Sequence, residues 1–127
     1  VFTLHTTSYR HFNPRMGTAI RTSIGHPRWR LPYALDIKLT ELMPSRAMLN
    51  LPYGEYEDRY LRQLEEVGVE HLEQRFQAIA VAVADTRLVL LCFESLAEPG
   101  DWCHRRMFAD WWEVQTGEPV RERRGAR

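Results

Sequence analysis

The sequence predicts an α/β fold, a small single-domain three-layer sandwich around a mostly parallel sheet. Three observations carry this prediction. "RLVLLCFE" (87–94) is a nearly continuous apolar run, the pattern of a strand buried on both faces. Segments on either side of it repeat their apolar residues at helical spacing. The chain has 127 residues, enough for one domain with a real core. Strands alternating with helices close most simply into a parallel sheet with covering layers.

The elements follow in order. "VFTLHTT" (1–7) is β-branched and aromatic, a first strand ending in the polar "TSYR". "TAIRTSIG" (18–25) reads as a second short strand broken at Gly25, and Pro27 and Pro32 forbid regular helix in the "HPRWRLPY" that follows. From Ala34 to Leu42 a short helix and an extended connection are both compatible with the pattern, and "MPSRAMLNLP" reads as loop or one helical turn. "YGEYEDRYLRQLEEVG" aligns Tyr56, Tyr60, Leu64 and Val67 on one helical face, with Leu61 beside them and Gly68 as the stop. "VEHLEQRFQAIAVAVADT" aligns Leu72, Phe76, Ile79, Ala80 and Val83 as a second helix. After the apolar strand, "GDWCHRRMFADWWEVQTGEP" predicts a third helix with Asp101 as N-cap, Met107, Phe108 and Trp111 facing inward, and Gly117 with Pro119 ending it. The domain is expected to cover residues 1–117, leaving 118–127 as a basic, flexible tail.

Composition narrows the function. The 17 Lys and Arg balance 17 Asp and Glu, so no overall field draws the chain to nucleic acid or a membrane. Lys38 is the only lysine; the other cations are arginines, whose planar fork suits carboxylate and phosphate, although high-GC codon usage explains the same bias. No apolar run approaches a membrane span, and no signal-peptide pattern opens the sequence. Two cysteines do not make a disulfide framework, so free thiols in a reducing cytoplasm are expected.

Both cysteines lie in "LVLLCFESLAEPGDWCHRRMFADWW". Ligands of open α/β sheets bind beyond the carboxyl ends of strands, where Cys92, Phe93 and Glu94 fall. Cys103, His104 and Arg105 fall in the first turn of the third helix, where unpaired N–H groups favour an anion and lower a thiol pKa. The functional reading makes Cys103 a nucleophile, His104 an acid/base, and Arg105 an oxyanion or phosphate clamp, with Glu94 orienting the base or holding an arginine. The structural reading stands beside it. Cys103, Met107 and Trp111 share i, i+4, i+8 spacing, so Cys103 is equally the first core residue of the helix.

No metal and no other cofactor is expected. Cys92, Cys103 and His104 could supply ligands, but structural zinc usually wants closely paired spacings, and none exists. Arg21, Arg28 and Arg30, with Trp29, form a basic, aromatic-interleaved stretch able to stack a base and hold phosphate. A prolyl loop with Trp29 packed as a lid explains it equally. If the first, second and apolar strands are neighbours, Tyr9, Arg21 and Arg105 could converge on one pocket with Cys92. Trp102, Trp111 and Trp112 are many for one small helix to bury, so one is expected to face a loop, a partner or a second copy.

At "LLCFE" followed by "CHRRMFADWW" the chain resembles the YeaO-like proteins, domain of unknown function 488, in a compact, arginine-rich form similar to actinobacterial and phage members. The positions that carry the resemblance are Cys92, Glu94, Cys103, His104, Arg105, Ala109 and Trp112. "RWRLPY", "ELMPSRAMLN", "EYEDRYLRQL" and "TTSYR" extend it more weakly, so it covers about Thr6 to Trp112. "TSIGHPRWR" departs from the aspartate-valine-arginine strand common in that family, with Arg21 left in the arginine position. The resemblance implies a real site at Cys103-His104-Arg105 but no reaction.

These observations lead to two expectations. One is a cytoplasmic enzyme, a hydrolase or transferase, acting on a nucleotide, nucleic acid or other anionic substrate through a Cys-His-Arg site. The other is a non-catalytic ligand- or nucleic-acid-binding regulatory module, compatible with a phage origin, using the same pocket. In either case the protein is expected to be a monomer or homodimer without membrane contact.

Overall fold

The computed structural model describes residues 1–98 and 100–124. Five strands form one all-parallel sheet: β1 (Thr3–Ser8), β2 (Thr18–Arg21), β3 (Ile37–Lys38), β4 (Arg87–Cys92) and β5 (Arg121–Glu122), in the order β3-β2-β4-β1-β5. Helices α1 (Tyr53–Val67) and α2 (Val69–Val83) precede β4, and α3 (His104–Thr116) follows it. The α/β class and the parallel sheet are as the sequence predicts. β4 lies at the centre with Leu88 through Cys92 all buried, which is why it reads as a continuous apolar run.

The strand order explains where the layers lie. From β1 to β2 to β3 the chain steps towards one edge; from β3 to β4 to β5 it steps back. Parallel crossovers are right-handed in about 98% of cases, so a reversal of direction sends the connections to the opposite face. All three helices lie in the two returning connections and pack with Leu4, Ile20, Leu88 and Leu90 in one core. The two outgoing connections carry no α-helix. Phe12, Met16, Trp29, Tyr33 and Leu35 cover the other face, against Ala19, Val89 and Leu91. The third layer is therefore irregular chain with one 3₁₀ turn, Pro14–Met16, rather than helix.

The predicted helical faces are the buried ones: Tyr56, Tyr60 and Leu64 of α1, Leu72, Phe76, Ile79 and Ala80 of α2, Met107, Phe108 and Trp111 of α3. Three expectations need correction. Residues 34–42 resolve into β3 and a 3₁₀ turn at Thr40–Leu42. Helix α3 starts three residues after Asp101; its N-cap is Cys103, and Asp101 Oδ2 accepts from the Glu98 amide at 3.0 Å to close a turn in the preceding loop. The domain also runs past residue 117. Val120 is buried, and β5 adds to β1 through His5↔Arg121 and Thr6↔Glu122. Residues 125–127 of the expected tail lie outside the described residues.

Gly17 sets the entry to β2. Its φ of 138° is a conformation open mainly to glycine, and a Cβ there would sit 2.2 Å from the Arg87 carbonyl oxygen. Backbone cannot yield as a flexible side chain would. Gly17→Ala is expected to cost at least ~2 kcal/mol in urea unfolding, and an unchanged midpoint would contradict this account of the β2–β4 approach.

Candidate functional site

The reversal of strand direction also positions a crevice. β1 and β2 send their connections over one face, whereas β4 sends its own over the other, so the chain parts beyond the carboxyl end of β4. A pocket of about 420 Å³ opens there. Its walls come from the segment after β2 (Ser23, Ile24, Gly25), the end of β4 (Cys92, Phe93, Glu94), the start of α3 (Trp102, Cys103, His104), and Pro44, Leu49 and Tyr56.

Cys92, Cys103 and His104 meet on one side of this pocket, all buried, with their ligating atoms within 4.8 Å of one another. The two sulfur atoms are paired as a disulfide, which corrects the expectation of free thiols, across a Cα–Cα separation of 7.7 Å. These two facts pull apart: a separation above about 7 Å is wider than an ordinary disulfide spans. The separation is set by β4 and α3, which the rest of the fold holds in place. Cys103 lies eleven positions after Cys92; the loop after β4 brings the chain back over the strand end.

The hydrogen bonds of His104 fix its tautomer. Nε2 lies 2.8 Å from the Thr22 carbonyl oxygen and 3.1 Å from Thr22 Oγ1, whose own proton goes to the Leu91 carbonyl at 2.9 Å. Both Thr22 atoms accept, so Nε2 carries the hydrogen. Nδ1 is left with its lone pair towards Cys103 Sγ, 3.7 Å away. Burial pushes the His104 pKa down to about 4; the Thr22 carbonyl opposes this, and the Arg105 cation adds to it. At neutral pH the ring is neutral, carries a lone pair on Nδ1, and is less basic than an exposed imidazole.

Arg105 also departs from expectation. Its side chain is 0% exposed and forms a bidentate pair with Glu122, Nε to Oε1 at 3.0 Å and Nη2 to Oε2 at 2.8 Å. Nη1 donates to Cys92 Sγ at 2.8 Å. The guanidinium is thus taken up by protein groups and has no face for a substrate. Arg106 also points back into the fold, to Thr6 Oγ1 and the Val120 carbonyl. The two arginines of "CHRR" fasten the C-terminal strand.

The other predicted residues divide between two faces of the sheet. Successive strand residues alternate, so Arg21 lies on the side of Ala19, opposite the helices. Its guanidinium turns onto its own loop, Nη1 donating to the Ile24 carbonyl at 2.7 Å. Tyr9 is buried on that side, its hydroxyl bonded to Ser23 Oγ at 2.6 Å. Ser23 Oγ donates onward to the Gly25 carbonyl. Tyr9, Arg21 and Arg105 therefore do not converge, although Tyr9 braces the pocket wall through Ser23.

Trp29 is a lid, packed against Phe93 with Arg10 stacked over it at 4.4 Å, and Arg28 and Arg30 are exposed outside the pocket. Glu94 lines the pocket and approaches Cys92 Sγ at 3.8 Å; it holds no arginine among the described residues. The three tryptophans face inward: Trp111 and Trp112 are core, and Trp102 packs edge-on to Tyr53 and Tyr56 at the pocket wall.

Thr22 and Glu122 are site residues that sequence reasoning missed. Neither carries a local signal, because each acts through a partner far along the chain. No helix among the described residues is long and apolar enough to cross a membrane.

No family model matches the chain, and neither a curated protein nor a solved structure matches it.

The His104 environment makes a pH prediction. An unfolded imidazole titrates near 6.5 and the folded one near 4. The unfolded chain therefore binds the extra proton between these values. The contribution is complete above about pH 6.5 and is lost as pH falls towards 4. Reduced, chelator-treated wild type should lose about 2 kcal/mol more than His104→Asn between pH 7 and pH 5 in urea unfolding. His5, also lowered by burial, supplies a smaller decline of the same sign in both proteins. Equal declines would contradict a buried neutral His104.

Proposed function

We propose that this protein is a small enzyme whose reactive centre is the Cys92, Cys103 and His104 cluster in the pocket wall, and that it belongs with the YeaO-like proteins it resembles. One observation carries the reading. Two sulfurs and an imidazole lone pair, from the end of a central strand and the start of a helix, meet at the crevice where a parallel sheet binds ligands. The resemblance is supported by the meeting of four of its positions, Cys92, Cys103, His104 and Arg105.

The lining favours a particular substrate class. Ile24, Leu49, Tyr56, Phe93 and Trp102 make the wall largely apolar and aromatic, and Glu94 is its charged group. A neutral or cationic small molecule with an apolar or planar body fits this wall better than a nucleotide. Among the described residues that line the pocket, an anion would find only the N-terminus of α3 as a positive partner, because Arg105 is bound to Glu122 and Arg21 to its own loop. Sulfur chemistry with free thiols suits a reducing compartment such as the cytoplasm.

A second reading, a non-catalytic binding module using the same pocket, is favoured by the low basicity of His104. Incubation with a library of small acyl and alkyl donors separates the two. Chemical conversion lost in Cys103→Ser supports the enzyme, whereas saturable binding without conversion supports the module.

The pocket itself can be tested without knowing the substrate. Thiol-reactive fragments, applied to folded, reduced protein in chelating buffer, should modify Cys92 or Cys103. Filling the pocket with Leu49→Trp should slow modification at least tenfold without lowering the melting temperature, since Leu49 is 52% exposed. Modification only on unfolding would make both cysteines core residues and sink the proposal.

A further inference from the structure

We propose that Cys92 Sγ, Cys103 Sγ and His104 Nδ1 are three ligands of a divalent cation of the zinc class, with its fourth position open to the pocket. This rests on the reading above that the three residues form one functional centre. The donor set is two sulfurs and one imidazole nitrogen, the combination that borderline-soft cations such as Zn²⁺ prefer.

The backbone separation leaves room for a shared ion once the paired sulfurs are reduced. Disulfides join Cα atoms about 4.4–6.8 Å apart, whereas Cys92 and Cys103 are 7.7 Å apart. Two metal–sulfur bonds of about 2.3 Å at a tetrahedral angle hold their sulfurs roughly 3.8 Å apart. That is about 1.7 Å wider than a sulfur–sulfur bond. A backbone separation somewhat above the disulfide range is what such an ion needs.

The surrounding hydrogen bonds are those that metal ligands use. A ligating histidine donates its other ring N–H to a carbonyl or carboxylate, which fixes the tautomer and aims the lone pair. His104 does this through Nε2 and the Thr22 carbonyl, leaving Nδ1 towards Cys103. Arg105 Nη1 donates to Cys92 Sγ, a contact complementary to a thiolate. Charges also close within the buried site. Two thiolates cancel a dication, and Arg105 is cancelled by Glu122.

Binding starts from the reduced pair, which a thiol or phosphine reductant supplies by adding two electrons and two protons to the joined sulfurs, and it needs no oxidant. Two S–H bonds break, two sulfur–metal bonds form, and two protons pass to solvent as the ion sheds waters. All three ligands also line the pocket, so a water or a substrate lone pair can take the fourth position. Three protein ligands with an open position define a catalytic rather than a structural zinc site. The substrate class narrows accordingly, to small molecules offering a carbonyl, hydroxyl, amine or thiol to the ion.

Co²⁺ titration of phosphine-reduced, metal-stripped protein tests this directly. The expected result is one equivalent bound, sulfur-to-cobalt charge-transfer absorption, and visible bands of a four-coordinate ion. Zn²⁺ should displace the Co²⁺, and Zn²⁺ added instead to the reduced, metal-free wild-type chain should release about two protons at neutral pH and protect both cysteines from alkylation. Cys92→Ser and Cys103→Ser, checked for fold by circular dichroism, should lose the charge-transfer band.

A folded, reduced protein that counts two free thiols but shows neither the band nor protection in excess metal would overturn the proposal. So would unchanged Co²⁺ binding when both cysteines are replaced, or a disulfide that re-forms in the presence of Zn²⁺. If metal binding fails while fragments still modify the cysteines in the pocket, the centre stands as a metal-free thiol site. If both fail, the centre itself is refuted.

Discussion

The structure depends on a buried cation. Arg105 projects from the first turn of α3 into the angle between the ends of β4 and β5, with no side-chain exposure. Its guanidinium holds Glu122 with two bonds and Cys92 with a third. Thr6 Oγ1, which donates to Glu122 at 2.7 Å, ties β1 into the same knot. One side chain thereby fixes a helix, the two strands that flank β1, and the sulfur that faces the pocket. Removing a partner from a buried ion pair leaves an uncompensated charge, which is far costlier than losing a surface pair. The short strand β5 depends on this clamp, since two residues of ladder cannot hold an edge alone.

The pocket follows from topology in the same direct way. The chain reverses its direction of travel across the sheet once, and the helices all fall on one side of that reversal. The carboxyl end of β4 is therefore bordered by connections that leave for opposite faces. A thiol at the end of β4 and a thiol at the N-cap of α3 are brought together by this geometry, although neither is near the other in sequence. One side of the apolar wall, Pro44, Leu49 and Tyr56, is supplied by the long β3–β4 connection, where Tyr60 donates to the Leu42 carbonyl and Gln63 to the Met43 carbonyl, fixing the chain around Leu49 over α1.

What the sequence revealed and what it hid have the same physical source. α1, α2 and α3 were legible because fifteen, fifteen and thirteen residues repeat a period that local spacing encodes. β4 was legible because burial on both faces leaves it no polar position. β3 and β5 have two residues each and exist only through their partners, so no local pattern announces them. Within the site, Cys92, Cys103 and His104 stood out as residue types at element ends, but their meeting was a tertiary fact. Arg105 was misread for a specific reason. An arginine beside a helix N-terminus looks like an anion clamp until its carboxylate is known, and Glu122 lies seventeen residues away on a strand with no sequence signature. Arg21 and Tyr9 were grouped with it because strand alternation places residues on faces only once the sheet is known.

The central claim is that Arg105 anchors the site through Glu122 and is not a free substrate clamp. The most direct measurement is the unfolding free energy of Glu122→Gln against wild type at neutral pH. The variant keeps side-chain volume and one acceptor but removes the charge. The account predicts a loss of about 2–3 kcal/mol, below the ~3–5 kcal/mol of a fully buried pair because Glu122 retains 18% exposure. A loss below ~0.5 kcal/mol, the size expected of an exposed pair, would contradict it and return Arg105 to the candidates for ligand recognition.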